Sequence, residues 1–447
     1  MGLADYVKKK LPAWPNWINL FLLRLNIFGD RVYGEAYRYT KAHIADISPE
    51  DKILNMVNFA IANVPYYRNK YGSLRIHSLK EFEEKIGFID KDIVMSHWDE
   101  FLVDNIDWNK VIIGTTGGTS GKPLKLVIPK NRYIREYAIS HKYSKLTGWK
   151  PGDCRAVIRN DRLPSSKDYL INPVLKDFIF DAFRMSTVYA KKVYGIIKKY
   201  NINYIWAYPS AVYQFFKLCE AQNLDLSVIK AVMLSSEAIT NEQLWYITEH
   251  LGIMISCSYG HSEKLILAMN DCKSMELHVD PYYGYCEIVD GEGAAREESG
   301  YVGEMVGTTF SNEYQPLIRY KTGDYAEISN VSYDSNGLRQ LKLKKIYGRW
   351  NKSLIYKKDG TTISTTALNL HGDFYNHIDG IQYIQEEIGK LKVLIIKNTN
   401  YSSKDEQFIM DHIGNAMGGL NYIEIKYVDK LILQPNGKFL PLVSTVN

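Results

Sequence analysis

Between residues 200 and 260 short apolar runs alternate with longer stretches in which apolar positions recur every three or four residues. Tyr204-Ile205-Trp206-Ala207, Ala231 to Leu234 and Ile253 to Ser256 have the length and bounded apolar character of buried strands. Lys191 to Tyr200, Val212 to Ala221 and Asn241 to His250 have the helical period, as does Asn131 to Leu146 further upstream. Strands alternating with helices imply βαβ crossovers and a largely parallel sheet, where ligands sit beyond the carboxyl ends of the strands. From Tyr282 the texture changes to short strands and glycine-rich turns: Tyr285 to Val289, Gly303 to Thr309, Leu317-Ile318, Tyr325 to Ile328 and Leu338 to Lys344. That predicts a barrel-like or antiparallel β unit. After Gly348-Arg349 the pattern reads strand, a helix over Asp405 to Met417, then strand. The first hundred residues carry a helix over Ser48 to Asn63 and a turn at Val64-Pro65-Tyr66-Tyr67. The expected class is α/β, with a large domain over 1–348 and a small α+β domain over 349–447.

Composition narrows the classes. A chain of 447 residues with 46% hydrophobic content buries a large core. Its net charge of +5 is slight for this length and gives no nucleic-acid footprint. Lys8-Lys9-Lys10 and the tryptophan-bearing stretch after it are a possible membrane-surface contact, but read first as a solvated basic turn. The apolar stretch Trp17 to Phe28 is too short to span a bilayer, is broken by Arg24, and lacks a small-residue cleavage site, so neither a transmembrane segment nor a secretory signal is expected. Five scattered cysteines suit reduced thiols. The expected location is cytoplasmic, with contact to the inner membrane as a peripheral option.

The densest chemical signal is Thr115-Thr116-Gly117-Gly118-Thr119-Ser120-Gly121-Lys122-Pro123. Glycines expose backbone N–H groups, hydroxyls add neutral donors and the lysine adds charge, which together suit a polyphosphate. A Walker loop is excluded, because Thr116 stands where its first glycine belongs and Pro123 where its magnesium-binding hydroxyl belongs. The context differs too: Val111-Ile112-Ile113 and Leu124 to Ile128 read as strands on either side. Further polar segments follow, four of them read as strand-exit turns: Ser235-Ser236-Glu237, Tyr259-Gly260-His261-Ser262-Glu263, Pro316-Leu317-Ile318-Arg319-Tyr320-Lys321-Thr322-Gly323-Asp324 and Gly348-Arg349-Trp350-Asn351, with Asn436-Gly437-Lys438 near the end. Each has an ordinary structural explanation: Glu263 as a helix N-terminal carboxylate, Asp324 as a turn residue after glycine, Arg349 in a surface ion pair, Lys438 on a solvated turn.

Taken in this order, the loop and these segments resemble the adenylate-forming superfamily of acyl-CoA synthetases and luciferases. The resemblance is closest to the phenylacetate–CoA ligase family, which writes the motifs TSGTTGKP, YGLSE, PLIRYRTGD and GRSDD, and covers roughly residues 60 to 447. The spelling Thr-Gly-Gly-Thr-Ser-Gly-Lys-Pro looks like the branch found in capsule and O-antigen polysaccharide clusters.

That resemblance implies an adenylation domain followed by a small mobile lid domain. It implies activation of a carboxylic acid by Mg-ATP to an acyl-adenylate, then acyl transfer to an acceptor, either the thiol of CoA or an amine such as an amino sugar. Thr116, Gly118, Thr119, Ser120, Gly121 and Lys122 are implied to wrap the β- and γ-phosphates. Tyr259 and Gly260 would lie against the adenine face, with Ser236 and Glu237 along its edge. Glu263 would hold Mg²⁺, Asp324 the ribose hydroxyls, and Arg349 the ribose and hinge. Lys438 would bridge the attacking carboxylate and the α-phosphate. The acyl pocket would be lined by Tyr208, Pro209, Ser210, Ser235, Gly260 and His261. Two departures stand out: Gly117 replaces a family serine, and Asn351-Lys352 replaces the hinge Asp-Asp, which bears on the second half-reaction more than the first. Some relatives hold a structural zinc near Cys272, His278 and Cys286, but no Cys-x₂-Cys appears and only Cys257 is left to complete a set of four. Competing readings are transfer of AMP itself to a hydroxyl, and a catalytically silent nucleotide-binding homologue.

Overall fold

The computed structural model describes residues 11–25, 33–116, 124–159, 161–237, 239–347, 354–359, 361–365, 368, 370, 374, 377–418, 422–432, 440 and 442–446. The chain forms two compact units, one of Met1–Gly34, Tyr143–Cys257 and Lys352–Asn447, the other of Glu35–Lys142 and Ser258–Asn351.

The first unit contains the parallel sheet that the alternation predicts. Ala231–Ser235, Tyr204–Ala207, Arg155–Arg159 and Asp177–Asp181 lie side by side in parallel, with Leu170–Asn172 antiparallel on the edge. Helices Thr187–Lys199 and Pro209–Glu220 intervene between strands. Ser186 caps the first through Tyr189 N–H, and Pro209 starts the second, where its missing N–H costs nothing. Thr240 and Gln243 form a reciprocal capping box on Asn241–Trp245, and the helix expected to reach His250 passes into a π-turn over Tyr246–His250. Three strands of this sheet have no expectation behind them: Leu170–Asn172, Arg155–Arg159 and Asp177–Asp181. Arg155–Arg159 and Asp177–Asp181 begin with charged residues, but Arg155 Nε and Nη2 donate to Asp177 at 2.9 and 3.1 Å, so both charges are buried as a bidentate pair.

The same unit holds a four-stranded sheet in the order Ile423–Tyr427, Leu391–Lys397, Ile378–Gln385, Leu442–Ser444. Helix Ser403–Met417 makes the crossover between the parallel pair Leu391–Lys397 and Ile423–Tyr427 and ends at Gly418, whose φ of +93° suits only glycine well. A hairpin of Leu354–Tyr356 and Thr362–Ser364 precedes this sheet. Ile355 and Ile363 of the hairpin, Ile409 and Ile413 of the helix, and Tyr208 share one buried cluster.

The second unit is built on an antiparallel sheet in the order Gly284–Val289, Val302–Thr309, Tyr320–Tyr333, Arg339–Tyr347, Leu277–Val279, Leu267–Asn270, then 258–260 at the end of Met254–Gly260. Helix Pro49–Asn63 starts at Ser48, whose hydroxyl accepts from Asp51 N–H, and buries Ile53, Val57, Ala60 and Ile61. Leu317-Ile318, expected as a strand, is instead a buried loop. Its apolar character serves packing against Tyr67, whose hydroxyl donates to Pro316 O and accepts from Ile318 N–H. Among the described residues no helix is long and apolar enough to cross a membrane.

Candidate active site

In the second unit Tyr259 and Asp324 meet. The sequence places both in turns after strands, whereas Tyr259 lies inside Met254–Gly260 and Asp324 inside Tyr320–Tyr333. A bulge aims the aspartate. Glu304 pairs with Tyr325 and Val306 with Lys321, so residues 322–324 face Met305 alone. Gly323 takes φ +74°, and Thr322 pins the bulge by donating to Met305 O at 2.7 Å and accepting from Asp324 N–H at 3.1 Å. Asp324 thereby accepts from the Tyr259 hydroxyl at 2.8 Å. Burial first, then the Asp324 charge, push the Tyr259 phenol well above its usual range, so it stays a donor.

Glu263 is not at a helix N-terminus. It sits in a turn closed by Lys264 N–H to His261 O, and its carboxylate is buried. His261 Nε2 accepts from Ile266 N–H at 3.2 Å, which leaves Nδ1 as the protonated nitrogen, 3.0 Å from Glu263 Oε2. Tyr320 donates to Oε1 at 3.2 Å. These two neutral donors orient the carboxylate. An oxygen anion held this way fits a hard cation such as Mg²⁺, which takes one or two carboxylates beside phosphates and water. His261, expected against an acyl group, has both ring nitrogens committed to positioning Glu263 and the following turn. No local sequence signal marks Tyr320 as a partner of Glu263, from which it lies 57 residues away.

The glycine-rich segment joins Val111–Thr115 to Lys125–Pro129, an antiparallel hairpin rather than a strand and helix. Thr116 closes its neck: its N–H donates to Leu124 O at 3.0 Å and its hydroxyl accepts from Leu124 N–H at 2.9 Å. Gly118, Thr119, Ser120, Gly121 and Lys122 lie outside the described residues, as do Arg349 and Lys438.

The first unit carries the other expected residues. Ser235 ends Ala231–Ser235, and Ser236 follows with φ +70°. This turn reaches helix Pro209–Glu220, where Ser210 N–H donates to Glu237 Oε2 at 3.2 Å, a carboxylate at the positive end of the helix. Arg159, at the carboxyl end of its strand, donates to Ser236 Oγ at 3.3 Å and covers the rings of Trp206 and Tyr208 at 4.2 and 5.1 Å. Arg159, Tyr208, Ser210, Gln214, Lys357 and Thr362 line a cleft of about 350 Å³, counting the part open to solvent. Arg159 and Lys357 had no motif to mark them; a basic residue ending the apolar run Ala156-Val157-Ile158 was the available signal.

Among the described residues no three histidines, cysteines or acids gather as a metal site. Cys286 is buried, which pushes its thiol up to about 12, and His278 stands 3.7 Å from Asp271.

The fold is that of the adenylate-forming ligases. 2-Hydroxyisobutyryl-CoA ligase, in complex with 2-HIB-AMP and CoA in the thioesterification state, is similar with a TM-score of 0.53 and 14% identity, over 92% of this chain and 90% of that one. An open conformation of that ligase with the same two ligands gives 0.50 at 14% identity, over 88% and 90%. Residues 355–444 match the family described as the CapK C-terminal domain. Protein CapK of Staphylococcus aureus is 21% identical over 357 residues, 78% of this chain and 77% of its own length.

Proposed function

We propose that this protein is an adenylate-forming ligase that activates a carboxylic acid with ATP and passes the acyl group to CoA or an amine in surface-polysaccharide synthesis. The observation that carries the reading is the bulge that turns Asp324 onto Tyr259, close along the chain to the clamped carboxylate of Glu263. A fixed two-oxygen acceptor beside an aromatic ring suits a ribose and its base. A second, separately oriented carboxylate suits a magnesium–phosphate complex.

In the first step a carboxylate oxygen attacks the α-phosphorus and pyrophosphate leaves. In the second, the acceptor attacks the acyl carbon, loses its proton and displaces AMP. The barrier of the first step is largely the approach of one anion to a polyanion, so positioning and charge compensation supply most of the catalysis. Asp324 accepts from the ribose hydroxyls and the Tyr259 ring lies on the adenine. Thr116 sets the neck of the loop whose Ser120 and Lys122 hold the β- and γ-phosphates. Glu263 would hold Mg²⁺, which when bound offsets phosphate charge. Lys438 bridges carboxylate and α-phosphate, and Arg349 steadies the ribose as the small domain turns between steps. The capsule setting rests on the resemblance of residues 355–444 and of the chain to CapK.

The test is to supply a panel of carboxylic acids with Mg-ATP and hydroxylamine. An acid-dependent hydroxamate with stoichiometric AMP supports the reading. AMP found covalently on a hydroxyl acceptor, with no hydroxamate from any acid, overturns it.

A further inference from the structure

The cleft in the first unit holds two cations and, among its described lining residues, no acid. Lys357 directly follows the strand Leu354–Tyr356, and its N–H donates to Thr361 O at 2.8 Å to close the hairpin turn. The side chain is only 9% exposed. Among the described residues its ammonium has no hydrogen-bond acceptor, and its nearest carboxylate is the exposed Asp359 at 3.9 Å. A buried ammonium with one distant, water-facing counterion is an expensive arrangement, typically retained where a ligand completes it. Arg159 gives the same indication independently. Its Nε is buried without a partner, and the acceptors beside its fork are the neutral hydroxyls of Ser236, at 3.3 Å, and Tyr208. The rings of Trp206 and Tyr208 hold the guanidinium plane in place, leaving its fork available for a planar anion. Burial raises the Asp161 carboxyl, with the nearby Arg159 charge opposing. Glu237 is spent on Ser210 N–H.

We propose that this cleft is an anion subsite, and that the acid activated by the enzyme carries a second anionic group, a carboxylate or phosphate distal to the reacting carboxylate, which Arg159 and Lys357 receive. The identity of the ligand rests on the adenylation reading; the subsite itself does not. Ser210 and Gln214 of helix Pro209–Glu220 add neutral hydrogen-bonding groups on the same wall, and Phe183 and Ile363 give the chain between the two anions an apolar lining. Specificity follows from the cost of leaving the buried Lys357 ammonium and the half-buried Arg159 fork without an anionic acceptor. An acid ending in a methyl group displaces water from Arg159 and Lys357 without replacing its hydrogen bonds.

Two measurements on the full chain separate the subsite from the reaction. The first follows reductive methylation of Lys357 by peptide mass spectrometry, without ATP. The probes are straight dicarboxylates of four to eight carbons, the monocarboxylates of equal length, and CoA. At least one dicarboxylate should slow labelling of Lys357 threefold or more while its monocarboxylate does not, and Arg159→Gln should abolish that protection. Equal protection by both acids, or by none, overturns the subsite. Protection by CoA alone overturns the assignment of the anion to the acid and moves it to the acceptor. The second compares acid-dependent ATP–pyrophosphate exchange. The ratio of kcat/KM for the diacid over the monoacid should fall about tenfold in Arg159→Gln, the scale of one lost charged hydrogen bond. An unchanged ratio overturns the proposal. Absence of exchange with every acid would instead overturn the ligase reading, with the labelling result standing on its own.

Discussion

Tyr259 and Asp324 stand 65 residues apart in the chain and are joined by a hydrogen bond of 2.8 Å. The bond depends on a bulge, since a regular strand through 322–324 would turn the aspartate differently against its neighbour. The Tyr259 ring and the Asp324 carboxylate therefore form one preorganised pair, which the proposed function assigns to a nucleoside. Asp324→Ala should lower kcat/KM for ATP by roughly 10²-fold, the worth of one or two charge-assisted hydrogen bonds. Tyr259→Phe keeps the ring and should cost less, about fivefold, through a less fixed carboxylate. With 2′,3′-dideoxy-ATP the Asp324→Ala loss should largely vanish, because both changes remove the same interaction. Additive losses would assign Asp324 to holding the bulge.

Glu263→Gln removes the charge and keeps one acceptor oxygen, for His261 Nδ1–H, while its amide N–H can donate to the Tyr320 hydroxyl. The magnesium concentration needed for half-maximal ATP binding should rise about tenfold or more, with near-ultraviolet circular dichroism unchanged. Calorimetry giving the same magnesium dependence as the parent would remove the carboxylate from the metal site.

Arg319 and Glu287 supply a stability test away from the site. Arg319 Nη2 and Nε reach Glu287 at 2.8 and 3.2 Å, and Nη1 donates to the carbonyls of Glu83 and Ile86, all in a buried setting. Glu287→Ala leaves that guanidinium buried and unpaired and should cost about 3–5 kcal/mol in urea unfolding. Glu287→Ala with Arg319→Met should recover much of this loss.

Lys357 gives a pH dependence. Burial lowers its ammonium below the usual lysine range, with Asp359 opposing. Between the folded value and the ordinary value of 10.5 the unfolded chain binds more protons, so folding stability rises with pH across that window. Lys357→Met should therefore unfold higher than the parent at neutral pH, by roughly 1–3 °C, and the gap should narrow as pH climbs through the folded value. A gap that widens with pH would mean that the amine is stabilised as a cation.

Much of this was legible in the sequence wherever the determinants are local. Tyr204–Ala207 is an uninterrupted apolar run, and Pro49–Asn63 announces itself by Ser48, Pro49 and a helical stripe. The exit turn at Ser235 and the hairpin flanking the glycine-rich loop follow from the same signals. What escaped depends on partners distant in sequence. Arg155–Arg159 hides as a strand because its first charge is matched only by Asp177 on the next strand. Asp324 reads as a turn residue because Thr322-Gly323 has turn composition, and only pairing with Val302–Thr309 converts it to a bulge. Leu317-Ile318 looks like a strand because burial against Tyr67 demands apolar residues whatever the backbone does. Lys357 has no motif at all; its significance lies in burial, which a lysine in sequence does not disclose.

Activation of a carboxylic acid as its adenylate is tested most directly at Lys438. Under the proposed function the charge of Lys438 is required while carboxylate and α-phosphate oxygens converge, and not when the acceptor attacks. Acid-dependent exchange of labelled pyrophosphate into ATP should be present in the parent and fall roughly 10²–10³-fold in Lys438→Ala. Consumption of chemically supplied acyl-adenylate with its acceptor should stay near the parent rate. Exchange at the parent rate in Lys438→Ala, or none in the parent with any acid, would contradict the account.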